Sequence, residues 1–267
     1  MTNCYYINLN EAIQRRQQIE ENFNKVGTRN FELVRVDAFS KNDIEDTEKP
    51  VRKTDRAVNR SHYAAMILAA NEDGPCMITE DDTFFFEETF LILEKVLKTF
   101  TTTDPLVIYT DIMVTTPNGI VEFQRNHQQE KVTLVNLQRI QYAGASSYLF
   151  NKSALNIMLR HAEINLDRKP WDMTLRSLIH RNVIQGLVTA PFITTVNEHA
   201  DKSYNQPKET IGTDYIWNTF RRSISLHPEI FDLASSIRNI QRQYNTRTLE
   251  TVSTILAAHA SQEFKKK

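Results

Sequence analysis

Cysteine and glycine are scarce in this 267-residue chain, and so is any excess of charge. The two cysteines, Cys4 and Cys76, stand far apart and match no Cys-x-x-Cys or Cys/His spacing, which argues against a disulfide framework or a thiolate zinc site. Six glycines leave little room for a phosphate-wrapping loop, and no GxxxxGK[ST] occurs. Where a dinucleotide-binding domain has GxGxxG after its first strand, this chain runs "INLNEAIQ". With 32 Lys and Arg against 33 Asp and Glu, the basic excess of a protein held by phosphate backbones is missing, and nucleic acid is not an expected partner. No apolar run approaches the roughly 18 residues of a membrane span. The opening "MTNCYYINLN" has no basic segment followed by an apolar one, so a cytoplasmic protein is the expectation.

What is present is an ordinary globular composition, 40% hydrophobic and 24% charged, enough for a real core. "CYYINL" reads as a strand entering a helix that Asn10 can cap and Gly27 can stop. "NFELVRVDAFS" is a second strand, and the charged stretch at 41–59 reads as a loop. Ser61 then caps a helix ending near Gly74, with His62 beside it, and "PCMIT" is a short buried strand. Further on come a helix in "EETFLILEKVLKTF", a strand in "PLVIYTDIMVTT" and a hairpin turn at 117–119 leading into "IVEFQ". "SSYLFN" and "VIQGLVTAPFITT" read as strands, with helices between them in "KSALNIMLRHAEI" and after Pro170. From 213 to 267 the pattern is helical with a break at "SLHPE". This order predicts an α/β fold with an open sheet, whose ligands sit beyond the carboxyl ends of the strands, and a helical C-terminal appendage.

The chemistry concentrates in "CMITEDDTFFF", where Glu80, Asp81 and Asp82 interrupt an apolar run. Acidic triplets are most often exposed turns. Here the apolar flanks favour a second reading, in which neighbouring carboxylates that repel one another hold Mg²⁺ or Mn²⁺ while substrate phosphates fill its remaining positions. A strand-end phosphatase fits poorly, because Glu80 stands where that chemistry needs a nucleophilic aspartate.

"YYINLNEAIQRRQQIEENF", "RVDA", "RSHYAAMILAA", "MITEDDTFF", "GASSYLFNKSALNIML", "KPWDMTL" and "APFITTVNEHADKS" follow one another in an order that resembles glycosyltransferase family 25, over roughly residues 4–205. The resemblance implies a GT-A type mixed sheet over 1–205 with a helical extension over 206–267. It also implies metal-dependent inverting transfer of a hexose, most often galactose, from a UDP-sugar to an acceptor hydroxyl on a lipooligosaccharide or other glycan. A catalytically silent glycan-binding module of the same fold is the alternative. On the enzyme reading Asp82 is the direct metal ligand, with His199 completing the shell. Glu80 and Asp81 face the nucleotide or the second shell, and Asn8 and Arg15 contact it from the first β-α unit. Asp172 is the general base, with Asp111 in reserve, and Trp171 offers a face to a sugar. Structural roles stand beside these for Asn8, Arg15, His62, Trp171, His199 and Asp172, the last as a first-turn aspartate stabilising its helix. The arginine-rich C-terminal helices suggest self-association as a homo-oligomer or peripheral contact with the inner membrane; a solvated terminal bundle is the other option.

Overall fold

The computed structural model describes residues 1–101, 103–114, 116, 119, 123, 132–202 and 211–243. Its frame is a seven-stranded mixed sheet in the order β2-β1-β3-β9-β5-β10-β7, where β1 is Thr2–Asn8, β2 Phe31–Asp37, β3 Cys76–Glu80, β5 Leu106–Tyr109, β7 Thr133–Asn136, β9 Ser147–Phe150 and β10 Gln185–Ala190. β1 runs parallel to both β2 and β3, and β5 runs parallel to β10. β9 lies antiparallel between β3 and β5, and β7 closes the far edge antiparallel to β10. This is the open α/β sheet expected from the sequence.

Period-two alternation sends successive side chains to opposite faces, and both faces are covered. Tyr5, Ile7, Ile78, Val107, Tyr109, Tyr148 and Phe150 meet α2 (Lys53–Ala69), α4 (Lys152–Asn165), α5 (Trp171–His180) and α6 (Ile211–Ser223). Cys4, Tyr6, Met77, Leu106, Ile108 and Leu149 meet α1 (Ile13–Val26) and α3 (Thr89–Leu97). Two short antiparallel pairs flank the sheet: β4 (Thr83–Phe85) with β11 (Thr194–Val196), and β6 (Met113–Val114) with β8 (Tyr142–Ala143).

Several local expectations are corrected. α1 begins at Ile13, with Ala12 at its cap position and no side-chain cap. Asn10 instead accepts from Arg35 at 2.7 Å. Gly27 does end that helix, its N–H donating to the Phe23 carbonyl. The loop expected over 41–59 is half helix. α2 starts at Lys53, and Arg56 and Asn59 are buried against polar partners outside the helix: Arg56 donates to Thr47 and the Glu45 carbonyl in the preceding segment, Asn59 to the distant carbonyls of Leu166 and Lys169. Ser61 therefore sits within the helix, its hydroxyl donating to the Ala57 carbonyl and accepting from the Phe39 N–H. The strand read in "PLVIYTDIMVTT" is two strands, β5 and β6. The turn at 117–119 and the strand after it lie outside the described residues except for Gly119 and Phe123, both in helical backbone.

The expected break in the C-terminal helices separates α6 from α7 (Leu233–Gln243). Ile216, Phe220 and Ile224 enter the same core cluster as the sheet. Arg221 and Arg222, read from the sequence as part of a basic surface, are each only 4% exposed and ion-paired with Asp111 and Asp201, so neither is presented to an anionic surface. Tyr244, Arg247 and the terminal lysines lie outside the described residues.

Packing of α5 on β10 leaves no space at Gly186, where an added Cβ would stand 2.4 Å from Ile179 Cδ1. Gly186→Ala should cost about 1–3 kcal/mol by overpacking. A lowered thermal midpoint checks this; an unchanged one would mean that α5 can move away freely.

Candidate active site

At the carboxyl end of β3 the chain turns through Asp81 and Asp82 into β4, beside the end of β1, where Ile7 pairs with Glu80. Asp81 faces one way, and Glu80 and Asp82 another. Asp81 is turned toward the first β-α unit, where Asn8 Nδ2 donates to its Oδ2 at 2.7 Å and Arg15 Nη1 to its Oδ1 at 3.1 Å. Arg35 Nε fixes the other end of the Asn8 amide at 3.2 Å, and Arg15 also donates to the His199 carbonyl. Desolvation pushes the Asp81 carboxyl upward, opposed by Arg15 and Asn8. Asn8, Arg15 and Asp81 thus form one polar cluster behind the turn.

Glu80 and Asp82 line a cavity of about 210 Å³ together with His62, Trp171, Asp172 and Arg221. His62 is buried and bridges two partners: Nε2 lies 3.4 Å from Glu80 Oε1 and Nδ1 3.1 Å from the Tyr148 hydroxyl, which also accepts from Trp171 Nε1 at 3.0 Å. Burial raises the Glu80 carboxyl, but the hydrogen bond and charge of His62, with Arg221 and Arg15, hold it below its ordinary value. Burial and the charges of Glu80 and Asp81 push Asp82 up to about 7. Trp171 is 3% exposed and stacks on His62, so it is a wall of the cavity and a donor to Tyr148, with little face left for a sugar. Tyr148 stays protonated, its proton affinity raised by burial.

Asp172 reaches the same cavity from the first turn of α5, where Pro170 occupies the cap position. Its carboxylate accepts from two backbone N–H groups, Gly144 at 3.1 Å and Met173 at 2.8 Å. Gly144 has φ +86°, a conformation glycine adopts without strain, and its N–H ties the β8–β9 connection to Asp172. Asp111, the reserve base, faces elsewhere: Ser146 donates to its Oδ1 and the Arg221 guanidinium to its Oδ2. His199 lines a separate cavity of about 820 Å³, bounded by α1, β4 and the C-terminal helices. The structure therefore brings together Glu80, Asp82 and Asp172, groups Asn8, Arg15 and Asp81 behind them, and puts His199 on another surface.

Whether the site suits a divalent cation is a question of donors. Among the described residues no three His, Cys, Asp or Glu side chains form a metal cluster. Glu80 and Asp82 do share one cavity, and Asp82 Oδ1 is buried without a hydrogen-bond partner. An orphaned carboxylate oxygen beside a second carboxylate fits Mg²⁺ or Mn²⁺, ions that take one or two protein carboxylates and leave the other positions to substrate phosphate and water.

Residues 1–175 match the pattern of Glycosyltransferase family 25 (LPS biosynthesis protein). The chain belongs to this family. It is a family 25 glycosyltransferase whose matched segment contains the acidic turn and Asp172 and stops short of α6. No curated protein matches the sequence. Solved structures similar to this transferase include an apo UDP-glucose pyrophosphorylase (7% identity, 70% of this chain and 72% of that chain, TM-score 0.34). Another is a nucleoside-diphosphate-sugar pyrophosphorylase from Vibrio cholerae RC9 (10%, 73% and 76%, 0.35). A third is a UDP-glucose pyrophosphorylase complexed with UDP-glucose (8%, 70% and 89%, 0.34). Sequence reasoning missed Arg221; its only signal was its place beside the apolar Ile216, Phe220 and Ile224 stripe of the transferase's last described helices.

Because Asp82 binds its proton more tightly in the folded transferase than in the unfolded chain, its contribution to stability is present below about pH 4 and lost as pH rises through about 7. The thermal midpoint of metal-free protein should fall across that interval, and Asp82→Asn should flatten the fall. Calorimetry in EDTA at a series of pH values tests this, and parallel profiles for the two proteins would contradict it.

Proposed function

We propose that this glycosyltransferase moves a hexose, galactose in the first instance, from a UDP-sugar to an acceptor hydroxyl on a lipopolysaccharide or related glycan, with Mn²⁺ or Mg²⁺ as cofactor. The observation that carries the reading is the meeting of Glu80, Asp82 and Asp172 in one cavity at the carboxyl ends of parallel strands, where open α/β sheets bind ligands. The family description supports glycosyl transfer in LPS biosynthesis; donor and metal rest on the chemistry of the side chains.

Inverting transfer needs one base. As the acceptor oxygen bonds to the anomeric carbon, the bond to the diphosphate breaks with its electron pair leaving on the phosphate oxygen, and the acceptor proton passes to a carboxylate. Asp172 takes that proton: two backbone N–H groups hold its orientation. Glu80 and Asp82 would hold the cation, which when bound offsets charge on the departing diphosphate. His62 keeps Glu80 in place through its ring, itself fixed by Tyr148 and stacked on Trp171. Asp81 holds the turn through Asn8 and Arg15 and needs no contact with substrate.

Asp172→Asn should lower kcat by roughly 10²- to 10⁴-fold while leaving UDP and Mn²⁺ affinity nearly unchanged. Asp82→Asn should abolish the Mn²⁺-dependent part of UDP binding in calorimetry. Near-normal turnover in the first variant would exclude Asp172 as the base, and unaltered Mn²⁺-dependent affinity in the second would exclude Asp82 as a ligand.

A further inference from the structure

Arg221 stands in an unusual position for a residue beyond the matched family segment. It comes from the last turn of α6, is 4% exposed, and lines the cavity that holds Glu80, Asp82 and Asp172. One edge of its guanidinium is occupied: Nε donates to Asp111 Oδ2 at 3.1 Å, and Nη2 donates to that oxygen and to Ser146 Oγ. Nη1 makes no hydrogen bond among the described residues, and it is not among the polar atoms sealed from solvent without a partner. Asp111 does not line the cavity, whereas Arg221 and Ser146 do. Arg221 therefore lines the cavity while its ion-pair partner does not, and Nη1 is the nitrogen of the fork that these bonds leave over.

A cavity lined by four carboxylates, Asp55, Glu80, Asp82 and Asp172, is a poor place for a diphosphate unless fixed positive groups oppose them. Arg52 also lines this cavity, but its guanidinium is held in a two-pronged pair with Asp55. A guanidinium preset by a buried partner loses little freedom when it binds a phosphate oxygen. If Arg221 served only to neutralise Asp111, an apolar pair would do as well and nothing would require one nitrogen to stay unbonded beside the acids. We infer that Arg221 is a substrate-binding residue that donates through Nη1 to the diphosphate of the nucleotide-sugar, so that the donor site is complete only when α6 is docked. This rests on the donor reading above and extends it to a part of the chain outside the matched family segment.

The experiment compares UDP with uridine, each titrated calorimetrically in Mn²⁺; the ratio of their affinities isolates what the diphosphate contributes. Two variants are used. Arg221→Lys keeps a charge opposite Asp111 but has no second arm, and the double variant Asp111→Asn/Arg221→Gln removes both buried charges, so no carboxylate is left unpaired. In both, uridine affinity should hold while UDP affinity falls by about 10- to 100-fold, the range for a hydrogen bond to a charged group. An undiminished UDP-to-uridine ratio in a folded variant overturns the role of Arg221 alone. A wild-type protein that binds UDP no more tightly than uridine overturns the donor reading, and this inference with it.

Discussion

Three consecutive carboxylates leave a buried strand within reach of one another, and the surrounding structure is organised around keeping them there. Repulsion and desolvation both oppose ionising them together. Each acid meets the problem separately: Asp81 is hydrogen-bonded by Asn8 and Arg15, Glu80 lies against His62, and Asp82 retains its proton more strongly than an ordinary aspartate. The partners come from β1, α1 and α2, so the first third of the chain is tied to the turn by polar contacts as well as by the sheet. The unevenness is also what makes the site chemically useful, because one carboxylate is kept anionic, one is structural, and one keeps an oxygen without a partner.

A second constraint is the reversed strand β9. Running against β3 and β5, it begins where they end, so Ser146 at its start lines the cavity and the Gly144 N–H just ahead of it reaches Asp172. A parallel strand in this position would begin at the opposite edge of the sheet. The arrangement lets one short connection join the acidic turn, the base candidate and the buried Asp111 pair.

How much of this was legible depended on whether the deciding contact was local. The strand carrying the acids was readable because an apolar run ends abruptly in charge, and α5 because Pro170 fixes its start. The first half of α2 was not: Arg56 and Asn59 look like loop residues until the carbonyls of Glu45, Leu166 and Lys169 are near them. Asn8, Arg15 and Asp81 were each singled out from the sequence, but not as partners of one another, because 73 and 66 residues separate them. His199 followed a resemblance in position, and its placement in the other cavity turns on the short helical turn at Glu198–Lys202. Arg221 was read with its neighbours as part of an arginine-rich appendage for self-association or membrane contact, because nothing within α6 announces Asp111, 110 residues earlier.

The pairing of Asp111 with Arg221 also gives the polypeptide an order of completion during synthesis. While the chain is being made, Asp111 and the sheet strands through β10 are translated before α6 brings the counter-charge. A buried carboxylate without its partner is costly, so the enclosure of Asp111 seen in the folded molecule goes together with the docking of the last turn of α6. Quality control by protease or chaperone acts on the population of incompletely closed molecules, and in this chain closure includes an ion pair whose two members are made 110 residues apart.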